Sequence, residues 1–386
     1  MNYPEKEKIS LYFHIPFCLS KCSYCDFVSF ANSTAFHEPY INALLKELLL
    51  YKSTIEKNQI STIFIGGGTP TSLSDNLFEL LIKSIDEILQ LNCNSNNIEY
   101  TIEANPKTIT SKKAIAMKQY GINRVSLGLQ SANEIELKVL NRIHSFKDLE
   151  ESIDILKAHG ISNINIDLMY AIANQTIESF KASIQKVLTL KPAHISCYSL
   201  ILEEGTALYK LHKENKITFP TEDEDINMYE LAVNMLTSAG YEHYEISNFA
   251  LSGRKCSHNI TYWKVMPYLG FGVSSHSFFD NSRYSNTSSI EEYIDLLSKN
   301  SLPIESTELI DDTMAFEEWI FLRLRMKEGI NFEDINSRFS IDFLASYKPK
   351  LDKLLNEGLL IYDASKVSLT LKGFELSNYV FLTLLS

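Results

Sequence analysis

The chain has 386 residues, of which 45% are hydrophobic, and its formal net charge at pH 7 is −12. This length allows one large domain plus a smaller one, and no apolar run approaches the roughly 20 residues of a membrane span. The acidic balance disfavours nucleic-acid binding, which requires a basic face. Because the first residues, MNYPEKEKIS, lack the apolar segment of a secretory signal, we expect a cytoplasmic protein with reduced thiols.

From residue 10 to about residue 202, short β-rich runs alternate with amphipathic helical stretches. The predicted strands are SLYFHI, TIFIGG, EYTIEA, RVSLGL, NINIDLMY and HISCYSLIL. Helical periodicity is clearest in DNLFELLIKSIDEIL, SKKAIAMKQYG, FKDLEESIDILKAHG and ESFKASIQKVLTL, with Gly121 and Gly160 at expected helix ends. This alternation predicts parallel strands with crossover helices, and six units are typical of a partial (β/α)6 barrel, which we assign to residues 1–203.

The pattern changes after residue 203. Residues 203–225, EEGTALYKLHKENKITFPTEDED, predict a loop or linker, followed by a helix over DINMYELAVNMLTSAG and a strand over YEHYEISNFA. We treat residues 204–304 as a connecting region. Two helices and a β-hairpin then predict a winged-helix-like domain over residues 305–386, where 9 basic and 14 acidic residues give a net charge of −5. That charge favours a structural or protein-contact role over nucleic-acid binding.

Three cysteines, Cys18, Cys22 and Cys25, lie within eight residues after the first predicted strand. Their C-x3-C-x2-C spacing fits a disulfide with a spare thiol, a zinc site, or an iron–sulfur cluster with one open corner. Reduced thiols disfavour the disulfide. A closed zinc site would need a distant fourth ligand, whereas the fourth iron of an open cluster takes an exogenous one. Tyr24 and Phe27 would provide an apolar shell.

Polar residues stand at the ends of several predicted strands, where the chemistry of a parallel barrel collects. They are GGGTP at residues 66–70, Glu103 with Asn105 and Pro106, Gln130 with Ser131, and Asp167. A tight turn or a helix N-cap would explain each of them separately. Beside the cysteine loop they predict one shared binding site.

The segment HIPFCLSKCSYCDF resembles the cluster loop of the radical S-adenosylmethionine (SAM) superfamily, in which SAM chelates the open iron. IGGGTP is similar to the superfamily's glycine motif, which implies that Gly67, Gly68 and Thr69 bind the SAM amino group. TIEANP, RVSLGLQS, NRIH and INIDLMY resemble motifs of the HemN/HemW branch. They imply further SAM contacts from Tyr12, Glu103, Gln130, Arg142 and Asp167. Directly after INIDLMY, members of that branch have the turn sequence Gly-Leu-Pro-Gly-Gln, whereas this chain has AIANQ.

Two features distinguish the members of this branch. HemN, an oxygen-independent coproporphyrinogen dehydrogenase, has a fourth cysteine two places after the third, and a long N-terminal arm. Here Phe27 takes the place of that cysteine, so we assign it to the cofactor site, and seventeen residues precede Cys18. Both features favour the HemW family of haem chaperones.

The segment CSHNITYWK resembles the H-N-x-x-Y-W haem signature of that family, which implies that His258 binds haem. Imidazole is a common axial ligand of haem iron, and aromatic rings offer apolar surface to a porphyrin. Cys256 is a candidate second ligand, although a thiol beside a histidine is more often simply packed. His276 is a lesser candidate, and His243 and His14 are more typical of structural positions.

The hypothesis is therefore a haem chaperone that binds one [4Fe–4S] cluster, SAM and haem and delivers haem to apo-haemoproteins. Peripheral membrane contact, homodimerisation and enzymatic activity stay open. The alternative is a radical SAM oxidoreductase of porphyrin biosynthesis. A third class, a zinc-stabilised interaction scaffold, would show zinc in place of iron.

Overall fold

The structure is a computed structural model, and it describes residues 7–31, 33–91 and 98–385. Cys93 lies outside the described residues. The strands are β1 Lys8–Ile15, β2 Phe17–Cys18, β3 Phe30–Ala31, β4 Gln59–Gly67, β5 Glu99–Ala104, β6 Arg124–Gln130, β7 Ile164–Tyr170, β8 His194–Ser199, β9 Glu242–Glu245, β10 Asn248–Ala250, β11 Tyr268–Phe271, β12 His276–Phe279, β13 Ser282–Asn286, β14 Ile304–Leu309, β15 Ile330–Asn331, β16 Leu360–Tyr362 and β17 Lys366–Leu369.

A 3₁₀ turn occupies Pro70–Ser72. The α-helices are α1 Thr34–Glu56, α2 Asp75–Leu89, α3 Ser111–Gln119, α4 Glu134–Val139, α5 Phe146–Ala158, α6 Ile177–Thr189, α7 Ala207–Lys213, α8 Glu222–Ser238, α9 Ser257–Trp263, α10 Ile290–Ser298, α11 Asp312–Leu324, α12 Phe332–Phe339, α13 Phe343–Asn356, α14 Leu371–Glu375 and α15 Ser377–Leu385.

The main sheet is built around six parallel strands in the order β1-β4-β5-β6-β7-β8. This is the α/β partial barrel that the strand–helix alternation predicts. The later strand β11 joins β1 in parallel and leads into antiparallel β12, β13 and β14, while β10 and β9 extend the other end. The connecting region therefore contributes strands to both ends of the sheet.

The parallel strands have one apolar and one largely polar face. Leu11, Phe13 and Ile63 belong to the fully buried core that the strands share with the helices. The alternate residues point into the barrel, where the Thr62 hydroxyl donates a 2.7 Å hydrogen bond to Ser10. Because successive side chains of a strand point to opposite faces, the same strands can build both a hydrophobic core and a polar interior.

The predicted helices of the barrel are present, and helix α2 coincides with DNLFELLIKSIDEIL. Gly121 and Gly160 follow α3 and α5 with φ values of +83° and +78°, the left-handed conformation that glycine adopts without a steric penalty. The short helix α4 was not predicted. It begins at the N-cap Asn133, whose side chain accepts a 2.9 Å hydrogen bond from the Ile135 amide.

The prediction of a loop or linker over residues 203–225 is wrong in part. Helix α7 lies inside it, and α8 begins at Glu222 instead of Asp225. Thr206 and Thr221 are the N-caps of these helices, and Thr221 forms a capping box with Glu224. The segment YEHYEISNFA forms two antiparallel strands, β9 and β10, instead of one.

The C-terminal part has the predicted winged-helix-like arrangement. Helices α11, α12 and α13 pack with a small antiparallel sheet of order β15-β17-β16. Trp319, Ile335 and Phe343 are buried where these helices meet. Among the described residues, no helix is long and apolar enough to cross a membrane.

Candidate functional site

A cavity of about 390 Å³ opens at the carboxyl ends of the parallel strands. It brings together all three predicted cluster cysteines and most of the predicted cofactor residues. The predicted residues that line it are Cys18, Cys22, Cys25, Phe27, Gly67, Gly68, Thr69, Glu103, Gln130, Arg142 and Asp167. Residues separated by up to 149 positions in sequence, from Cys18 to Asp167, therefore share one site.

The cysteine loop is anchored at both of its ends. Strand β2 ends at Cys18 and pairs in parallel with β3, so that residues 19–29 form a loop over the cavity. The Ser23 hydroxyl also donates a 2.7 Å hydrogen bond to the Val139 carbonyl at the end of α4. Phe27, in this loop, lines the cavity but leaves 64% of its surface exposed.

Each of the three sulfurs has a polar neighbour. The Cys18 Sγ lies 3.7 Å from the Thr69 hydroxyl, and the Cys25 Sγ lies 3.9 Å from the Ser29 hydroxyl. The Cys22 Sγ accepts a 3.2 Å hydrogen bond from Nη1 of Arg142. Burial raises the pKa of the Cys18 and Cys25 thiols, so nearby donors or a bound metal are needed to favour their thiolates.

The glycine run lets the backbone approach the cavity closely. A Cβ on Gly68 would lie 3.0 Å from the Cys18 sulfur, and one on Gly66 would lie 2.8 Å from the Glu103 carboxylate. Gly67 has a φ of +108°, and its amide donates a 3.0 Å hydrogen bond to Oε2 of Glu103. Only glycine fits this conformation without strain.

Two carboxyl groups, Glu103 and Asp167, lie beneath the cavity. Burial, with a smaller effect of the nearby Asp167 charge, raises the pKa of Glu103 to about 8. Burial also raises the pKa of Asp167, which accepts hydrogen bonds from Ser126 and Asn165. A cation bound in the cavity would offset this burial cost, because an opposite charge favours the carboxylate form.

Gln130 is placed by an irregularity at the end of β6. The register between β6 and β7 shifts between Gly128 and Gln130, and Gln130 has a φ of +71°. Its Oε1 accepts a 2.8 Å hydrogen bond from the Tyr198 hydroxyl. Strand irregularities of this kind often redirect a side chain near a functional site.

In the loop after β7, two residues have the positive φ values that favour glycine, although this chain lacks the glycines that the HemN/HemW branch has there. Ala171 and Asn174 have φ values of +55° and +62°. The Gln175 side chain closes the loop by accepting from the Ile172 amide at 3.2 Å and donating to Glu136 at 2.9 Å. The departure from the branch's turn sequence therefore leaves an ordered turn.

Two predicted cofactor residues, Tyr12 and His258, do not line this cavity. The Tyr12 hydroxyl lies 3.0 Å from Nδ1 of His14 inside the barrel. His258 is 1% exposed and lies near the amino ends of the strands, where its backbone amide donates to Glu99 at the start of β5. Helix α9, which carries His258, therefore closes the end of the barrel opposite the cavity.

Both ring nitrogens of His258 are already occupied. Nδ1 lies 2.7 Å from the Thr62 hydroxyl, and Nε2 lies 2.8 Å from the Tyr262 hydroxyl. The ring also stacks on Phe64 at a centroid distance of 5.0 Å. Burial lowers the pKa of His258 to about 3, so the imidazole is neutral.

The other candidate haem ligands have different environments. Cys256 is fully buried with its Sγ 3.7 Å from Glu99, and burial raises the pKa of this thiol to about 12. His243 and His14 are buried and hydrogen-bonded to backbone carbonyls. His276 is exposed and bonds to the Ser274 carbonyl.

Sequence reasoning gave no role to several cavity residues. Asn105 was noted only as a strand-end residue, and the wall formed by the end of β8 and the residues that follow it was not predicted at all. That wall consists of Tyr198, Ser199, Leu200, Ile201 and Glu203. Their position at the end of the predicted strand HISCYSLIL was an available signal, since Gly67, Glu103 and Gln130 also lie at strand ends.

Comparisons with known proteins agree with this geometry. Residues 12–187 match the radical SAM superfamily, and residues 310–376 match the HemN C-terminal domain. The chain is 36% identical to the heme chaperone HemW of Lactococcus lactis, over 96% of each chain. The chain belongs to the HemW family of the radical SAM superfamily. It is also 34% identical to HemW of Bacillus subtilis, over 96% of this chain and 98% of that protein.

The fold is similar to that of HemN from Escherichia coli, which is described as a coproporphyrinogen III oxidase and radical SAM enzyme. The TM-score is 0.85 at 22% identity, and the match covers 99% of this chain and 91% of HemN. At this level of identity the likeness shows a common fold.

Membership of the radical SAM superfamily implies a [4Fe–4S] cluster and SAM, and the cavity fits both groups. Three thiols on one loop line it, and Thr69 and Arg142 lie beside two of their sulfurs. Within residues 7–31, 33–91 and 98–385, no three His, Cys, Asp or Glu side chains converge on a point that could hold one metal ion. In a [4Fe–4S] cluster each thiolate binds a separate iron, so three thiols on one loop fit three of its four irons.

Proposed function

We propose that the protein is a haem chaperone that binds one [4Fe–4S] cluster, SAM and haem and delivers haem to apo-haemoproteins in the cytoplasm. The observation that carries the proposal is the single cavity that collects the three cysteines, the glycine run and the polar strand ends. Near full-length similarity to proteins named heme chaperone HemW supports the chaperone function.

Cys18, Cys22 and Cys25 would hold the cluster, which supplies one-electron chemistry when bound. The three thiols must lose their protons on binding, so cluster assembly releases protons and depends on pH. Arg142, whose Nη1 donates to the Cys22 sulfur, offers positive charge next to the deprotonated sulfur. The exposed Phe27 would shield the loop side of the site from water.

The glycine segment and the two buried carboxyl groups would bind SAM. The amino group of SAM is cationic, and the Glu103 carboxyl, which accepts a hydrogen bond from the Gly67 amide, would accept another from it. Because burial raises the pKa of Glu103 to about 8, binding at neutral pH would couple to release of the Glu103 proton. Asp167 and Gln130 would contribute the remaining polar contacts on the floor and wall.

Haem binding by His258 requires a change in helix α9. Both ring nitrogens are hydrogen-bonded and the side chain is buried, so an iron atom cannot reach them while α9 closes the barrel. We therefore propose that haem binds after α9 moves outward, which would expose His258 together with Tyr262 and Trp263. Trp263 already lines a separate groove of about 320 Å³ next to Tyr268 and Phe278.

A haem titration after anaerobic cluster reconstitution tests the proposal. We expect the wild type to give a Soret band that shifts on binding, and His258→Ala to weaken haem binding. The control is His212→Ala, because His212 is exposed on helix α7 and is not a candidate haem ligand. Absence of haem binding by the wild type would contradict the chaperone function, and equal binding by His258→Ala would exclude His258 as a ligand.

The alternative function is a radical SAM oxidoreductase of porphyrin biosynthesis. It is favoured by one observation, namely that the polar cavity beside the cysteines retains its strand-end carboxyl and amide groups. An anaerobic assay with coproporphyrinogen III, SAM and a reductant separates the two functions. Decarboxylation in proportion to SAM cleavage would favour the oxidoreductase, and the chaperone function predicts none.

A further inference from the structure

Two side chains that contact the cluster cysteines come from different parts of the barrel. Thr69 follows the glycine run after β4 and lies beside the Cys18 sulfur, while Arg142 follows α4 and donates to the Cys22 sulfur. Neither side chain contacts the other directly. A side chain that hydrogen-bonds to both of them would fix their relative position.

Asn105 links these two side chains. Its Nδ2 donates a 2.7 Å hydrogen bond to the Thr69 hydroxyl, and its Oδ1 accepts a 2.5 Å hydrogen bond from Nη2 of Arg142. The result is a continuous hydrogen-bonded chain from Cys18 through Thr69, Asn105 and Arg142 to Cys22. Both polar ends of the Asn105 amide are used, which fixes the orientation of that amide.

The surrounding backbone is built to accommodate this link. The Asn105 carbonyl accepts from the Thr108 amide at 3.1 Å and from its hydroxyl at 2.7 Å, which holds the turn after β5. A Cβ on Gly128 would lie 3.0 Å from Nη2 of Arg142 and 3.2 Å from Oδ1 of Asn105. Gly128 therefore leaves the space in which the guanidinium meets the amide, and its carbonyl also accepts from Nη2.

We propose that Asn105 is a positioning residue for the iron–sulfur cluster, holding Thr69 and Arg142 against the sulfurs of Cys18 and Cys22. The inference rests on the proposed cluster site and adds to it a residue that contacts no cysteine. Hydrogen bonds to cluster sulfurs raise the reduction potential, because they stabilise the more negative reduced state. Groups that hydrogen-bond to metal ligands, as Thr69 and Arg142 do, typically contribute about 10- to 100-fold to metal affinity, so the effect of Asn105, which acts through them, is expected at the low end of this range.

The experiment compares Asn105→Ala and the similarly shaped Asn105→Leu with the wild type after anaerobic reconstitution. We expect both variants to bind the cluster but to lose iron to a chelator about tenfold faster. In an electron-paramagnetic-resonance redox titration, their reduction potential should shift to more negative values. Asn105 is half-buried, and the Gly128 carbonyl still accepts from Arg142 without it, so the metal-free variants should remain folded and show a cooperative thermal transition.

Asn123→Ala is the matched control. Asn123 lies at the opposite ends of β5 and β6, where it also makes two hydrogen bonds, to the Tyr100 amide and the Ile98 carbonyl. In this variant, the reduction potential of the cluster and the rate of iron loss to a chelator should equal those of the wild type, even if thermal unfolding occurs at a lower temperature.

The outcomes separate the inference from the proposed function. If the wild type retains no iron, the proposed cluster site fails and the role of Asn105 fails with it. If the wild type holds a cluster and both Asn105 variants match its potential and chelator resistance, only the role of Asn105 is overturned. Unfolding of both metal-free variants would also overturn it, since Asn105 would then be required by the fold.

Discussion

At the scale of single residues, the cavity is shaped by backbone conformations that few side chains tolerate. Gly67, Gln130 and Ala171 all have positive φ values; the first two are the last residues of β4 and β6, and Ala171 follows β7, all at the cavity end of the barrel. Each turns the chain sharply where a strand ends. Such conformations persist only when neighbouring hydrogen bonds hold them, as those of Tyr198 with Gln130 and of Gln175 in the loop after β7 do.

Ala171 provides a direct test of this constraint. Its φ is +55° and its side chain is 5% exposed, so a β-branched residue would be strained and would also lack space. We expect Ala171→Val to lower the free energy of unfolding by about 2 kcal/mol or more, measured by urea denaturation. Ala171→Gly should stay within about 1 kcal/mol of the wild type, because relief of strain offsets the added chain entropy. Equal stability of the valine variant would contradict the strained turn.

At the scale of elements, helix α9 connects the haem motif to the barrel interior. The His258 ring stacks on Phe64, whose ring centroid lies 6.1 Å from that of Tyr12, and Tyr12 reaches His14 below Gly67. Outward movement of α9 would therefore remove the His258 ring from its packing on Phe64 and Tyr12.

Tyr262→Phe tests whether release of His258 limits haem binding. The change removes the hydroxyl that lies 2.8 Å from Nε2 of His258, so one of the two hydrogen bonds that hold the ring in its buried position is lost. We expect faster haem association in stopped-flow absorbance, with Tyr268→Phe as the control, because Tyr268 packs on the Tyr262 ring. If the variant bound haem no faster than the wild type, release of His258 would not be the step that limits haem binding.

The helices and strands of the barrel were predictable because the sequence of each one has its own hydrophobic pattern. The apolar period of α2 and the β-rich runs mark helices and strands within a few residues. The burial of His258 was not predictable, since the same HNITYW segment would suit an exposed ligand, and its partner Thr62 lies 196 residues away. The link through Asn105 was missed for the same reason, because local patterns do not show which strand ends face each other.

At the scale of the whole molecule, Glu47 joins helix α1 to the added strands and to α10. It is 1% exposed and accepts hydrogen bonds from the Gly272 amide at 2.9 Å, the Asn286 amide at 2.6 Å and the Tyr293 hydroxyl at 2.5 Å. Burial raises the pKa of Glu47 to about 7 from its ordinary value of 4.5. The folded state therefore holds a proton that the unfolded chain has already released between these two values.

Stability should fall as the pH rises through this window. For one such group the free energy of unfolding changes by up to about 1.4 kcal/mol per pH unit, and the loss is complete above the folded pKa. We expect Glu47→Gln to show a smaller loss than the wild type between pH 5 and pH 7, measured by urea denaturation. Its absolute stability should be lower, because an amide cannot accept all three hydrogen bonds. Parallel pH profiles would contradict the raised pKa.

The most direct test of the account is the iron content after anaerobic reconstitution, measured for the wild type, Cys22→Ser and Cys197→Ala. Cys197 is buried in β8 and does not line the cavity, so its variant controls for the loss of any cysteine. We expect about four iron atoms per chain in the wild type and in Cys197→Ala, and a clear loss in Cys22→Ser. Negligible iron in the wild type, or equal iron in all three proteins, would contradict this expectation.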